Sequence, residues 1–421
     1  MRHFPFFKGE KMDKKLHKEA EDIIRYCIEE VMPDRAVKKA LKDITLRGKV
    51  VLVSVGKAAY QMAKVADDCL KDRINDGIVI TKYHHIKSKI AAYDMIEAGH
   101  PVPDENSFKG TEKALEKVRA LSENDTVLFL LSGGGSALFE NPKCSKEQLE
   151  RITNDLLSSG ADIVEINTIR KRLSNVKGGR FALATKAHIY QIVLSDILGD
   201  PLDMIASGPC TPDSSTNDDA KAVIKKYNIK IDDDIKKCFD EETPKSLTNV
   251  TSAITGSVRE LCKAAEEKTR SLGYKPFILT DMLSIEAREA GVLLSDIIKT
   301  YRNTTESLAF ILGGETVVHL KGKGKGGRNQ EIALSSSRGI SGIKGAAVIS
   351  VGSDGTDGPT DAAGGYADYE SMGDYKALGI NVDEYLDNND AYNALSKIDA
   401  LVITGPTGTN VNDVTLALIK R

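Results

Sequence analysis

Six short apolar runs along this chain each end in glycine, mostly with Lys, Asp, Glu or Ser beside it. Val50 to Val55 leads into Gly56-Lys57, Val127 to Leu131 into Ser132-Gly133-Gly134-Gly135-Ser136, and Ile189 to Leu194 into Ser195-Asp196-Ile197-Leu198-Gly199-Asp200. Leu308 to Leu312 leads into Gly313-Gly314-Glu315, Ala346 to Val351 into Gly352-Ser353-Asp354-Gly355, and Leu401 to Thr404 into Gly405-Pro406. A run that is apolar throughout reads as a buried strand, and glycine after it lets backbone N–H groups approach a ligand closely. In open α/β sheets ligands bind just beyond the carboxyl ends of the strands. Glycine repeated there with charged and hydroxyl side chains builds a polar, anion-seeking site. That is the layout of an enzyme.

Amphipathic helices fill the intervals. Leu16, Ala20, Ile23, Ile24, Cys27, Ile28 and Val31 share one helical face that ends near Pro33, and Ala59, Met62, Ala63, Ala66, Cys69 and Leu70 form another stripe after the first strand. From Val50 onward strand and helix alternate, the pattern of parallel βαβ units. Between Asp213 and Asn249 glycine disappears and charges dominate, which suits one or two peripheral helices. A second α/β series begins at Ala253. The expected fold class is therefore α/β, with two domains whose sheets are mostly parallel and which face each other across a cleft. Residues 1–45 are read as an extension and a helix, a candidate to pack on the second domain. Residues 46–235 form a Rossmann- or flavodoxin-like domain, and 236–421 the second α/β domain.

Bulk properties exclude several classes. A net charge of −3, dispersed basic residues and the absence of Trp argue against a nucleic-acid surface. No apolar stretch approaches the roughly 20 residues that span a bilayer. Six scattered cysteines without a CxxC pair suit reduced thiols in a cytoplasmic protein. The opening Phe4-Pro5-Phe6-Phe7 is too short for a signal-peptide core, and Met12 is an alternative start of translation.

Four segments carry candidate chemistry. Lys57 sits between strand and helix, where a cation can meet a bound anion, although a solvated lysine at a strand end is an equal reading. The triple glycine with its two serines favours a phosphate or carboxylate cradle over a plain turn. Asn167-Thr168-Ile169-Arg170-Lys171-Arg172 followed by Lys177-Gly178-Gly179-Arg180 forms a basic patch, read as anion contact against the usual solvated face. Lys321-Gly322-Lys323-Gly324-Lys325-Gly326-Gly327-Arg328 satisfies GxGxxG, but its lysines are atypical and the required acidic residue is misplaced. It reads as a mobile cationic loop for polyphosphate or carboxylate, with a basic hairpin tip as the alternative. Asp196 and Asp200, and Asp354, Asp357 and Asp361, are carboxylates suited to Mg²⁺ or to deprotonating a hydroxyl, though Asp beside Gly is also ordinary turn chemistry. His84, His85 and His100 lack metal-ligand spacing and read as structural. Neither a Walker A sequence nor a GxSxG elbow is present.

Taken in order, the segments resemble the glycerate kinase type-2 family. The resemblance rests on Ala98-Gly99-His100-Pro101-Val102-Pro103-Asp104, Leu131 to Ala137, Asn167 to Arg180, and Ser195 to Asp200 with Ala206-Ser207-Gly208-Pro209. It continues through Gly313-Gly314-Glu315-Thr316, Gly326-Gly327-Arg328-Asn329-Gln330-Glu331, Ser353 to Gly364 and Thr404 to Asp413, with a MOFRL-type region in the last third. It implies ATP-dependent phosphorylation of D-glycerate with Mg²⁺ or another divalent cation, most often at the 2-hydroxyl. Phosphorylation at the 3-hydroxyl is the alternative. Some relatives carry a hydroxypyruvate reductase label, so an NAD(P)H-dependent reading stays open. Ile197-Leu198 departs from the Val-Pro common in the family but leaves Asp196 and Gly199-Asp200 in place.

By that resemblance Lys57 and Arg328 are functionally important, and together with Asp196, singled out by its place directly after a buried strand, they are the expected catalytic residues. The expected ATP and substrate contacts are Gly56, Ser132, Gly133, Gly134, Gly135, Ser136, Asn167, Arg170, Lys177, Glu315, Lys325, Asn329, Asp354 and Asp357. Asp196 and Asp354 are the candidate metal ligands. Arg328 or Arg170 would pair the glycerate carboxylate, and Lys57 would neutralise the transferring group. A homodimer is a candidate assembly; neither nucleic acid nor membrane is an expected partner.

Overall fold

A computed structural model of the chain describes residues 13–90 and 93–421; Phe4-Pro5-Phe6-Phe7 and Met12 lie outside the described residues. The chain divides into two compact units. One comprises residues 36–195 and 200–255, and the other the residues up to Arg35, 196–199 and 256–421.

The first unit is built on β1 (Val50–Val55), β2 (Asp76–Lys82), β3 (Asp94–Ala98), β4 (Thr126–Leu131), β5 (His188–Leu194) and β6 (Val250–Gly256), in the order β3-β2-β1-β4-β5-β6. β1 pairs in parallel with β2 and β4, and β3 and β5 extend the parallel ladder on either side. Every residue of β1 and β4 is buried, which is why these strands are apolar without alternation. The helix Ala59–Leu70 covers one face through Ala59, Met62, Ala63 and Ala66. Phe129, Phe139 and Phe181 form a triangle with ring centroids 5.1–5.8 Å apart, anchoring the segment that follows the triple glycine. Two helices, Asn217–Lys226 and Asp233–Lys237, occupy the charged stretch and pack on Ile166, Ile169 and Leu173.

The division falls after Thr255 rather than near residue 236. β6 joins the first sheet beside β5 instead of opening the second series.

The second unit is built on β7 (Lys275–Leu283), β8 (Leu308–Gly314), β9 (Ala346–Gly352), β10 (Gly364–Asp368), β11 (Leu401–Val402) and β12 (Asp413–Ile419), in the order β11-β10-β9-β12-β8-β7. The expectation of mostly parallel pairing fails here. Only β7–β8 is parallel, because β12 inserts between β8 and β9 and runs against both, and β10 returns against β9. All seven residues of β12 are buried, so the last strand is the centre of the sheet.

The helix Lys14–Glu30 starts at Asp13, whose side chain accepts the N–H groups of Lys15 and Leu16. Its apolar stripe, Leu16, Ala20, Ile23, Ile24 and Cys27, packs with Val258, Leu261, Cys262 and Ala265 of the helix Val258–Ser271. Each large aliphatic side chain buried this way is worth about 1.5–3 kcal/mol. On the opposite face Leu294, Ile298 and Ile332, from the helices Ala287–Thr300 and Arg328–Ile340, cover Phe310, Leu312 and Val348.

Candidate active site

In the first unit the loops after β1 and β4 are laced together. Lys57 N–H donates to the Gly133 carbonyl at 2.9 Å, and Ala58 N–H to Ser132 Oγ at 3.0 Å. This contact requires glycine at 56. Its φ is +118°, and a Cβ there would stand 2.3 Å from Ser132 Oγ. The Lys57 side chain itself is exposed.

Further along the loop, Ser136 Oγ lies 3.1 Å from Ser207 Oγ, which donates to Asn167 Oδ1 at 2.8 Å. Arg170 reaches the Ser136 carbonyl through Nη2 at 3.4 Å, and its buried Nε has no partner. Gly56, Lys57, Ser132 to Ser136, Asn167 and Arg170 are thus brought together, as a polar nest with an unused guanidinium donor.

Two members of this nest escaped the sequence reading. The point a Cβ on Gly134 would occupy lies 3.0 Å from Cδ2 of His100 and 3.3 Å from Cγ of Lys57. Burial, then the charges of Lys57, Lys82 and His85, lowers the pKa of His100, so its imidazole is neutral near pH 7. Ser207 is the other. It and Ala206 hold left-handed backbone, φ +60° and +52°, ahead of Gly208. Ser207 stands within a quoted family segment, which was the available signal.

The basic patch is not an anion surface. Lys177 is 0% exposed, pairs with Glu140 at 2.8 Å and donates to the Phe139 carbonyl at 2.9 Å. Lys171 and Arg172 are buried on Asp213, each at 2.9 Å, and Arg172 also reaches Glu242. Of the expected contacts from this segment, Lys177 is therefore a structural cation, while Asn167 and Arg170 stay at the loop.

In the second unit a cavity of about 190 Å³ is lined by Asp196, Glu315, Arg328, Ser353, Asp354, Asn410, Asn412 and Asp413. Arg328 donates from Nε to Asp413 Oδ2 at 2.5 Å, from Nη2 to Asp413 Oδ1 at 3.0 Å, and from Nη1 to Glu315 Oε1 at 3.0 Å. Burial opposes its charge, but Asp413 and Glu315 override this and keep the guanidinium firmly protonated. Glu315, Arg328, Asp354 and Asp196 are thereby united, in surroundings more acidic than a pocket rich in positive charge. Among the described residues no three His, Cys, Asp or Glu side chains converge to hold a metal ion.

Asn329 and Asp357 serve the scaffold. Asp357, 4% exposed, accepts the N–H groups of Asn329 at 3.2 Å and Gln330 at 2.9 Å, capping the helix Arg328–Ile340 whose N-cap is Gly327. Burial pushes its carboxyl up to about 7 against those amide contacts. Asn329 is also wholly buried, and its Oδ1 accepts from Ser350 Oγ at 2.6 Å.

Nor is the lysine-glycine segment a free cradle. The N–H groups of Lys321 and Gly322 bond Asn389 Oδ1, that of Lys323 bonds Asn388 Oδ1, and Gly324 bonds the Asn388 carbonyl. Lys325 N–H bonds Asp390 Oδ1, and its ammonium sits 3.9 Å over the Tyr392 ring. Five successive amides, Lys321 to Lys325, are already paired, and four of them belong to the GxGxxG match, so most of its backbone donors are taken up within the protein.

Comparison with known proteins agrees with this architecture. The model for a domain of unknown function, DUF4147, matches residues 19–240, and that of the MOFRL family residues 308–413. A D-glycerate 2-kinase of Thermotoga maritima is 52% identical over 96% of this chain and 98% of its own. A glycerate 2-kinase of Pyrococcus horikoshii is 41% identical over 90% of this chain and 89% of its own. The crystal structure of a glycerate kinase from Thermotoga maritima superposes with a TM-score of 0.92 at 51% identity, covering 97% of this chain and 100% of that one.

Proposed function

The chain belongs to the glycerate kinase type-2/MOFRL family, and from that premise we propose that it transfers the γ-phosphoryl group of ATP to the 2-hydroxyl of D-glycerate. The observation that carries this reading is the whole-length similarity to proteins named glycerate 2-kinases. Three local features support it. β1 to β5 run in parallel in the doubly wound order, where Rossmann-like domains bind nucleotides at strand ends. The loop Ser132 to Ser136 adjoins an exposed Lys57 and an unpartnered Arg170 Nε. Four of the six amides in the GxGxxG match, Gly322 to Lys325, are occupied, which disfavours the reductase alternative.

In the reaction the substrate hydroxyl oxygen forms a bond to the γ-phosphorus, the bond to the bridging oxygen of ADP breaks, and the hydroxyl proton is released. Charge spreads over the three oxygens in flight, so catalysis is chiefly positioning and electrostatics. Lys57 is placed to offset that charge. Arg170, anchored at the Ser136 carbonyl, keeps further guanidinium donors, the unpartnered Nε among them, for a phosphate or carboxylate. Arg328, fixed by Asp413 and Glu315, orders the acidic cavity rather than clamping glycerate with its whole fork.

Mg²⁺ fits the donor set of that cavity. Asp196 and Asp354 line it together, and this cation commonly takes one or two carboxylates with the rest of its shell from water and phosphate. When bound it supplies positive charge to the phosphate oxygens. Free cysteines suit a cytoplasmic protein, and among the described residues no helix is long and apolar enough to cross a membrane.

A coupled assay tests the reading. ATP with D-glycerate should yield ADP, whereas hydroxypyruvate should not drive oxidation of NADH or NADPH. The reverse pattern would overturn it.

A further inference from the structure

His100 reaches the polar nest of the first unit from the edge of its sheet. It follows β3, which β2 and β1 separate from β4, a distance of about 14 Å at the usual strand spacing. The turn that carries it is tied down beside β2. There Tyr83 Oη donates to Asp104 Oδ2 at 2.6 Å, and Asp104 caps the helix Glu105–Arg119 by accepting the Ser107 N–H. The imidazole then lies over the loop after β4. Its Nε2 stands 3.1 Å, and its Cδ2 3.0 Å, from the point that a Cβ on Gly134 would occupy. Glycine at 134 leaves that space open, and its φ of +87° is the left-handed region that glycine adopts freely.

Bonding and charge set the state in which this ring meets a substrate. Among the described residues neither of its nitrogens has a hydrogen-bond partner. Partial burial, then Lys57 after β1 and Lys82 and His85 at the end of β2, keeps it neutral. The nearby carboxylates are engaged elsewhere. Glu97 of β3 accepts the amides of His85 and Ile86, and Asp104 the Tyr83 hydroxyl. From the loop after β4, Ser132 to Ser136 bring no titratable group. A neutral imidazole carries a basic lone pair on one nitrogen. The rest of the nest lacks such an acceptor: Lys57 and Arg170 bring positive charge, Ser132, Ser136 and Ser207 are hydroxyls, and Asn167 is an amide.

We propose that Nε2 of His100 is the base that takes the hydroxyl proton of glycerate. As the hydroxyl oxygen bonds to the γ-phosphorus, its O–H bond breaks and the proton passes to Nε2. The bond from phosphorus to the bridging oxygen of ADP breaks in the same step, and the imidazolium afterwards gives its proton to solvent. The negative charge of a bound triphosphate offsets Lys57 and Lys82, so the ring takes a proton more readily in the complex than in the free protein. This role rests on the kinase reading above; the placement of the ring over Gly134 does not.

The experiment is the single-turnover rate of phosphoryl transfer by the full chain, followed as a function of pH with saturating ATP, Mg²⁺ and D-glycerate. His100→Gln should slow transfer by about a hundredfold at neutral pH. Wild type should lose rate as pH falls through the range where an imidazole protonates, and His100→Gln should not. Titration of ATP is common to both proteins, so the difference belongs to residue 100. In His100→Ala, added imidazole should restore part of the rate in proportion to its neutral fraction. A ring that merely packs on Gly134 predicts something else: equal losses at every pH and no rescue by imidazole. That pattern, a His100→Gln rate within a few-fold of wild type, or an acid limb kept in the variant would each overturn the proposal. Circular dichroism shows whether the variants are folded, and if His100→Gln is not, His100→Asn supplies the same comparison. Failure of the kinase reading shows separately, as wild type that forms no ADP in response to glycerate.

Discussion

Arg328 binds Asp413 through two parallel contacts, Nε to Oδ2 at 2.5 Å and Nη2 to Oδ1 at 3.0 Å. A planar fork on a planar carboxylate fixes both partners, and lysine cannot reproduce that geometry. Arg328→Lys is therefore expected to lose activity nearly as far as Arg328→Ala, by about a hundredfold or more in kcat. Steady-state kinetics on both variants, with circular dichroism to verify folding, check this. A Lys variant close to wild type would reduce Arg328 to a simple charge.

Lys57 stands apart from the buried cations, since its side chain is exposed at the loop contact with Gly133. Lys57→Ala is expected to keep the wild-type melting temperature within a few degrees and to lose kcat by about a hundredfold. Retained turnover would remove Lys57 from the transfer step.

The opposite behaviour is expected of Lys177. Glu140→Gln leaves a buried ammonium without its counter-charge, which costs about 3–5 kcal/mol. Urea unfolding should show that loss, with KM for ATP and glycerate largely unchanged in the folded fraction. A normal unfolding midpoint with a raised KM would return Lys177 to the binding set.

Asp213 makes acid stability measurable. Burial would raise its carboxyl, but Lys171 with Thr243 and the Ser215 amide overrides this and holds it at about 2, against an ordinary value of 3.8. The folded state therefore binds fewer protons than the unfolded chain between these values. Stability contributed by the group is present above pH 3.8 and is lost as pH falls through about 2. The contribution is on the order of 2 kcal/mol. Asp213→Asn should flatten this part of the pH–stability curve; a variant with the same acid slope as wild type would contradict the assignment.

Local pattern made the strands legible. Val50 to Val55, Val127 to Leu131 and Ala346 to Val351 are apolar but for Ser54 and Ser350 because each strand is buried along its whole length. The order of the second sheet was not legible. The insertion of β12 between β8 and β9 is a long-range pairing, and no glycine turn marks the end of Asp413–Ile419.

The site divides along the same line. Lys57, the triple glycine, Asn167 and Arg170 come together at strand ends, where glycine and charge stand close in the sequence. Lys171, Arg172 and Lys177 looked like an anion surface because their partners Asp213, Glu242 and Glu140 lie in other segments. Asn329 and Asp357 follow the same logic, since the capping contacts of Asp357 to the amides of Asn329 and Gln330 join segments far apart in sequence and an acidic loop shows them only once the helix is placed.

Phosphorus NMR of ATP, D-glycerate and Mg²⁺ incubated with the protein tests the central claim most directly. Loss of the γ-phosphate signal with growth of a phosphomonoester that enolase converts to phosphoenolpyruvate is the expected result. ATP left intact, or a phosphomonoester that enolase does not consume, would contradict transfer to the 2-hydroxyl.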